Sequence, residues 1–261
     1  MKFGRFEHQG RIFYGAVEGD QVSELEGSIF GSYKSTSKKH ALASLKTLVP
    51  CLPQNFYCAG LNYAAHIEWA NQRTGGNRKP PEKADIGYRS ANALAATGEA
   101  IVIPADSPGP VQFEGELVAV IGKTARNLSE KDALSCVLGY TLGNDVSERT
   151  WQKQDRTLWR AKNCDTFKPM GPFIVDGIDP MAQTIEVRVN GRTVSSYNTS
   201  RMIFGVAQFI SRMSRYLTLH PGDVIWFGCD GATVPALNPG DLVEVVNEAI
   251  GVLSNHVVRG P

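Results

Sequence analysis

Two carboxylates stand two residues apart at the head of the apolar run Gln112-Phe113-Glu114-Gly115-Glu116-Leu117-Val118-Ala119-Val120-Ile121-Gly122. No other stretch limits the fold as strongly. An extended strand sends alternate side chains to opposite faces. Phe113, Gly115, Leu117, Ala119 and Ile121 then share one face, and Glu114, Glu116, Val118 and Val120 share the other. Buried like charges at this spacing repel each other and lose hydration, so they require a cation or a shared proton. A hard divalent ion is the simplest cation that fits. The same residues also admit a plainer arrangement, a strand entering from solvent with its first two acids still wet.

A chain of 261 residues can form one large domain or a small domain with a larger one. With 42% apolar and 20% charged residues it has the composition of an ordinary globular protein. A formal net charge of +1 without charged tails gives no reason to expect nucleic acid or an anionic membrane as partner. The start, Met1 to Glu7, lacks the apolar core of a signal peptide, and no apolar run reaches membrane-spanning length. The five cysteines form no CxxC pair and leave one over, which suits a reducing cytoplasm.

Residues 1–50 read as a small β unit: Phe3 to Phe6, Ile12 to Val17 and Val22 to Leu25, separated by Gly- and Asp-containing turns. Ser32 to Lys39 is expected to be a solvated loop, with His8 and His40 on the surface. Pro50 to Pro53 marks a boundary, so the second unit spans 53–261. Within it, Phe56 to Ala59 reads as a strand and Ala64 to Arg73 as a helix stopped by Gly75-Gly76. The polar stretch Thr74 to Asp85 has the length and composition of a lid. Ile86 to Arg89, Ala100 to Ile103 and Gly139 to Asp145 read as strands. Ser129 and Asp132 signal a short helix through Cys136, and Glu148 to Asp155 a helical turn. Ile185 to Val189 and Thr193-Val194 form a hairpin across Asn190-Gly191. Asn198-Thr199-Ser200 is expected to cap a helix whose apolar face carries Met202, Ile203, Val206, Phe209, Ile210 and Met213. Pro-Gly-Asp turns precede two further strands, Val224 to Phe227 and Leu242 to Val246. The whole is a β-rich α+β fold.

Asp145 shares its face with Gly143 and Thr141, small neighbours that leave room around a carboxylate. Glu114, Glu116 and Asp145 together offer three hard oxygen ligands, favouring Mg²⁺, Mn²⁺ or Ca²⁺ over Zn²⁺ or Cu²⁺. A structural Ca²⁺ site is the competing arrangement. Lys162, between apolar neighbours, either neutralises surplus carboxylate charge or is simply exposed.

These residues carry a resemblance. Gly60-Leu61-Asn62-Tyr63 with His66, Glu114-Gly115-Glu116, Gly139-Tyr140 with Asn144-Asp145-Val146-Ser147, and Ala161-Lys162 with Asp165-Thr166-Phe167 look like the fumarylacetoacetate hydrolase family. Gly171-Pro172, Val189-Asn190-Gly191, Asn198-Thr199-Ser200 with Met202-Ile203-Phe204, and Leu219 with Pro221-Gly222-Asp223 continue the match in the same order, from about residue 53 to the end. The leading β unit resembles the small first domain of bacterial members. The resemblance implies a mixed β-sheet roll, a homodimer, one Mg²⁺ or Mn²⁺ on Glu114, Glu116 and Asp145, and a 2-oxo or β-diketo acid substrate. It implies that Lys162 faces the substrate's oxyanion, that Gln152 hydrogen-bonds it, and that His66 is the general base. Tyr63, Arg89 and Cys229 fall at substrate-binding positions. Cleavage between two carbonyls leaves an enolate, which a divalent ion and a lysine stabilise; histidine is the residue type suited to deprotonating water near neutral pH.

Three departures from the family pattern matter. The acid usually three residues after the histidine is Trp69 here; Glu68 points away on a helix, and Glu82 in the lid is the only substitute suggested. The usual Phe-x-Lys-Pro stretch is Ile86-Gly87-Tyr88-Arg89-Ser90, which keeps a cation of different shape. The usual Thr-Gly-Thr-Pro turn is Phe227-Gly228-Cys229-Asp230, which makes Cys229 a pocket candidate, or else an inert buried thiol. The leading expectation is a metal-dependent hydrolase of acylpyruvate-like acids. The second is a decarboxylase, isomerase or hydratase of 2-oxo dioic acids from aromatic breakdown, favoured by the missing acid at position 69. A non-catalytic scaffold is the third. No Gly-x-Ser-x-Gly elbow or glycine-rich phosphate loop supports a serine hydrolase or a nucleotide enzyme.

Overall fold

The structure is a computed structural model, and it describes residues 1–231 and 233–261. Its centre is the strand Gly115–Ile121, buried at all seven positions. It pairs antiparallel with Val137–Asn144 on one side and with Val224–Trp226 on the other. Leu117, Ala119 and Ile121 enter one hydrophobic core, while Val118 and Val120 enter a second with Met170 and Trp226. The alternation expected from the sequence therefore holds, with a well-packed core on each face. The strand does not run unbroken from Gln112, however. Val111–Gln112 pairs separately with Ser147–Glu148, and Phe113-Glu114 forms a break before Gly115.

Around this centre lies a 12-stranded mixed sheet, and a five-stranded sheet packs against it. The second sheet is ordered Arg192–Asn198, Thr184–Val189, Leu242–Asn247, Gly251–Arg259 and Ile101–Ile103. Gly115 lets the two sheets touch: a Cβ there would fall 2.5 Å from Val187. The fold is β-rich α+β, with mixed, unclosed sheets. The leading strands Lys2–His8, Arg11–Glu18 and Gln21–Gly27 are hydrogen-bonded into the large sheet through the pairing of Lys2–His8 with Lys168–Val175.

Several local expectations are corrected. Ser32 to Lys39 is not a loop: Tyr33–Ala41 is a strand on Gln21–Gly27, because its alternating polar side chains suit an exposed outer strand. His40 is tucked against buried Glu24 at 2.7 Å, with Arg11 on the same carboxylate. Ser129 and Asp132 open only a single helical turn, Ala133–Cys136. Asn198 caps only the turn Thr199–Arg201; the amphipathic helix is Val206–Ser214, entered through extended Gly205. The hairpin turn Asn190-Gly191 has positive φ at both residues, as the Asn-Gly signal requires.

Candidate active site

Three hydrogen bonds bring the acids together. Asn144, last in its strand, accepts the Glu114 N–H on its side-chain oxygen at 3.0 Å. The Asp145 N–H donates to the Glu114 carbonyl at 2.8 Å. The Gly228 N–H, from the loop after Val224–Trp226, donates to Glu116 at 2.7 Å. One oxygen each from Glu114, Glu116 and Asp145 lies within 4.8 Å of the others, and all three residues are buried. That excludes the wet-strand arrangement. The room expected beside Asp145 has a different cause: Gly143 is small because a Cβ there would fall 2.5 Å from the Trp226 ring.

Among the described residues, four cations contact these three acids. Lys162 is 4% exposed, so it is not a surface lysine; its Nζ reaches Glu114 at 2.6 Å and Asp145 at 3.0 Å. Arg89 grips Asp145 with two nitrogens, at 2.8 and 3.2 Å. Lys168, wholly buried, sits 2.6 Å from Asp145 and donates to the carbonyls of Val146 and Phe167. Arg149 reaches Glu114 at 2.7 Å and the side-chain oxygens of Gln112 and Gln152 at 2.8 Å each.

The charges are shared unevenly. Burial opposes ionisation of Glu114, but Lys162 and Arg149 overcome it and bring the carboxyl down to about 2. Burial opposes Asp145 too, and Arg89, Lys162 and Lys168 hold it well below the ordinary range. Glu116 forms no ion pair among the described residues; burial together with the charges of Asp145 and Glu114 outweighs Lys162 and the Gly228 N–H and pushes it up to about 8. A buried carboxylate crowded by two others and lacking a cation of its own is what a divalent ion would relieve. The donor set, all hard oxygen, fits Mg²⁺, Mn²⁺ or Ca²⁺.

A cavity of about 340 Å³ opens onto this cluster. His66, Gln152, Arg89, Cys229 and Lys162 line it, as do Arg78 and Lys79 of the expected lid. His66 comes from the helix Ala64–Thr74, which ends at left-handed Gly75. Asn62 fixes the corner before that helix: its amide donates to the carbonyls of Phe204 and Phe227 and accepts the Phe204 N–H. The His66 Nδ1 lies 3.1 Å from the Gly231 carbonyl and 3.8 Å from the Cys229 sulfur, and Trp69 packs beside the ring at 5.5 Å. With Nδ1–H donating to Gly231, Nε2 is the unprotonated nitrogen. Among the described residues no carboxylate is hydrogen-bonded to His66. Glu82 is exposed and absent from the cavity wall.

Two of the substrate-binding expectations need correction. Tyr63 does not line the cavity; it is 0% exposed, packed edge-on against Tyr197 at 5.2 Å. Arg89 lines the cavity, but its guanidinium is committed to Asp145. Sequence reasoning missed Arg149, Lys168, Arg78 and Lys79. Lys168 had a visible signal, a lysine between Phe167 and Pro169 in an apolar strand. Arg149 had none, because the acid it pairs with, Glu114, lies 35 residues away. The lid is also less free than its composition suggests: Ala84 is buried and its carbonyl accepts from Arg212, while Asn71 holds the Arg78 backbone through both its N–H and carbonyl.

A buried three-carboxylate cluster able to chelate a divalent ion, at the floor of a cavity with a histidine and cations on its walls, is the site of an enzyme. A family model described as fumarylacetoacetate (FAA) hydrolase C-terminal matches residues 55–258, and one described as Rv2993c-like, N-terminal, matches residues 1–50. The chain belongs to the fumarylacetoacetate hydrolase family. It is 34% identical to a solved 5-carboxymethyl-2-hydroxymuconate delta-isomerase from Mycobacterium smegmatis, with 100% of each chain covered and a TM-score of 0.89. It is 35% identical to the 2,4-didehydro-3-deoxy-L-rhamnonate hydrolase of Sphingomonas sp. over 98% of this chain and 96% of that one. It is 34% identical to the mitochondrial oxaloacetate tautomerase Fahd2a of Rattus norvegicus over 79% of this chain and 67% of that one. No helix among the described residues is long and apolar enough to cross a membrane.

Proposed function

We propose that this chain is a divalent-metal-dependent isomerase or tautomerase of 2-oxo dioic acids, working through a substrate enolate. The observation that carries the reading is the setting of His66. Its imidazole is held by a backbone carbonyl and a tryptophan, and among the described residues no carboxylate is hydrogen-bonded to it to make the acid–histidine pair that activates water for hydrolysis. A lone histidine is sufficient to move a proton between carbon and solvent. The leading expectation from sequence, hydrolysis of acylpyruvates, therefore takes second place; the hydrolase among the relatives keeps it in view.

Charge supports the dioic class. The cations paired with the three carboxylates, together with one divalent ion and with Arg78 and Lys79 at the cavity wall, leave a net positive field that suits a substrate with two carboxylates. In this reading Glu114, Glu116 and Asp145 hold Mg²⁺ or Mn²⁺, with Ca²⁺ admissible, and the ion supplies positive charge to the substrate's adjacent oxygens. Lys162 adds a second charge at the developing enolate. Gln152, its carbonyl oxygen fixed by Arg149, turns its amide N–H groups to the substrate. His66 Nε2 takes the proton. Arg78 and Lys79, exposed at the cavity wall and with no ion pair among the described residues, receive the distal carboxylate. The 53–261 unit carries all of this chemistry, the 1–50 unit none, and the working form is a cytoplasmic homodimer; light scattering would return twice the chain mass.

Proton exchange tests the reading. With Mg²⁺ in deuterated water, a 2-oxo dioate such as oxaloacetate should lose its C3 proton signal far faster than any carbon–carbon bond breaks. Acylpyruvate cleavage to pyruvate and a carboxylic acid outrunning that exchange would favour the hydrolase instead. Replacing both Arg78 and Lys79 by Ala should raise KM for a dioate by about five- to tenfold, since exposed charges contribute up to about 1 kcal/mol each. KM for a monocarboxylic 2-oxo acid should not move.

A further inference from the structure

The cavity holds a second group of ligand atoms, of different chemistry from the first. His66, Cys229 and Glu114 each offer an atom within 4.8 Å of the other two. The Cys229 sulfur stands 3.8 Å from His66 Nδ1. A tetrahedral zinc ion, with legs of about 2.3 Å to sulfur and about 2.0 Å to nitrogen, holds those two atoms roughly 3.5 Å apart. For this pair a shift of a few tenths of an ångström suffices; Glu114, within 4.8 Å of both, would give up one of its contacts with Lys162 or Arg149 to join them. The three residues come from separate elements, each fixed on its own. Glu114 sits in the break before the central strand, Cys229 follows Gly228 in a left-handed loop position, and His66 is carried by its helix with Trp69 against the ring.

We propose that this active site contains a second, softer metal site formed by Cys229, His66 and Glu114, selective for Zn²⁺ and inhibitory when filled. It overlaps the hard-oxygen site at Glu114 alone. Thiolate and imidazole prefer zinc to magnesium or manganese, whereas the three-carboxylate set offers no such discrimination by softness. Binding displaces the thiol proton and replaces the His66–Gly231 hydrogen bond with a metal–Nδ1 bond, moving the ring proton to Nε2. His66 then has no free nitrogen, and Glu114 is shared between two ions. A thiol at this position thereby makes the enzyme sensitive to zinc.

Because Zn²⁺ would also compete for the oxygen site, inhibition alone does not test the proposal. Co²⁺ is the discriminating probe: tetrahedral coordination with a thiolate gives a strong near-ultraviolet charge-transfer band and intense visible bands, while an oxygen-only octahedral site is nearly colourless. Metal-free protein titrated with Co²⁺ under anaerobic conditions should develop the charge-transfer band. Cys229→Ser should lack it, His66→Gln should weaken it by at least about tenfold in affinity, and Glu116→Gln should keep it, since Glu116 serves only the other site. Circular dichroism verifies that each variant is folded. In turnover assays with excess Mg²⁺, Cys229→Ser should require at least about tenfold more Zn²⁺ for half-inhibition. Absence of the band in the wild type, its persistence in Cys229→Ser, or its loss in folded Glu116→Gln would overturn the proposal. The spectra need no substrate, so they stand or fall separately from the assigned reaction.

Discussion

Glu116→Gln should make the metal-free protein more stable at alkaline pH while abolishing its response to Mg²⁺ or Mn²⁺. Glu116 is the carboxylate of the three with no ion pair among the described residues, pushed from 4.5 to about 8 by burial and by Asp145 and Glu114. A carboxyl whose folded pKa is raised contributes its full stability below the unfolded value and loses it as pH rises through the folded one. In the metal-free wild type that loss accumulates between pH 4.5 and about 8. Glutamine never ionises and can still accept the Gly228 N–H, so the variant's advantage opens across the same window. It should reach on the order of 2–4 kcal/mol above pH 8, a gain of several degrees in melting temperature for a chain of this size. Added Mg²⁺ or Mn²⁺ at about 100 times its Kd should stabilise the wild type by about 2.7 kcal/mol, and more readily at pH 8.5 than at pH 6, because loading requires the Glu116 carboxylate. The variant should show no such shift and should lose at least about 100-fold in turnover. A variant destabilised at every pH, or one that still gains stability from Mg²⁺ or Mn²⁺, would contradict this account of Glu116.

Asp145→Asn should do the reverse. Asp145 is contacted by Arg89, Lys162 and Lys168, and all three are largely or wholly buried. Lys168 shows the balance directly: burial pulls its pKa down to about 8 against the favourable field of Asp145. Replacing that carboxylate with a neutral amide leaves Lys162 its pairing with Glu114 but takes the paired carboxylate from Arg89 and Lys168, a change that costs about 3–5 kcal/mol in comparable buried pairs. Urea denaturation of the metal-free proteins at pH 7 should find this variant destabilised by that amount. Two acids of one proposed metal site thus have opposite effects on stability, because Asp145 is paired with three cations and Glu116 is dominated by burial and its acidic neighbours. A mild effect at Asp145 would mean that Arg89 and Lys168 find other partners.

The parts of this site legible in the sequence are those set by local periodicity. Alternation in Gln112 to Gly122 placed Glu116 with Val118 and Val120, and the second core confirms that face. The Asn-Gly hairpin and the helix stop at Gly75 followed from the intrinsic conformational preferences of those residues. What depended on distant partners was not legible. Arg149 and Lys168 acquire their meaning only when folding carries them to Glu114 and Asp145. The break at Phe113-Glu114 is likewise set by hydrogen bonds to Asn144 and Asp145, some 30 residues on. Gly143 looked like space for a ligand and proved to be space for Trp226. The missing acid at position 69 was visible in the sequence, but only the loop after Val224–Trp226 shows a backbone carbonyl in its place.

The central claim is that Glu114, Glu116 and Asp145 hold one hard divalent ion together. Anomalous scattering from crystals grown with Mn²⁺ tests it most directly. The account predicts a single strong peak within bonding distance of one oxygen from each of the three side chains, with Lys162 drawn aside from the acids it now bridges. No peak there, or manganese bound elsewhere while Lys162 stays between Glu114 and Asp145, would contradict it.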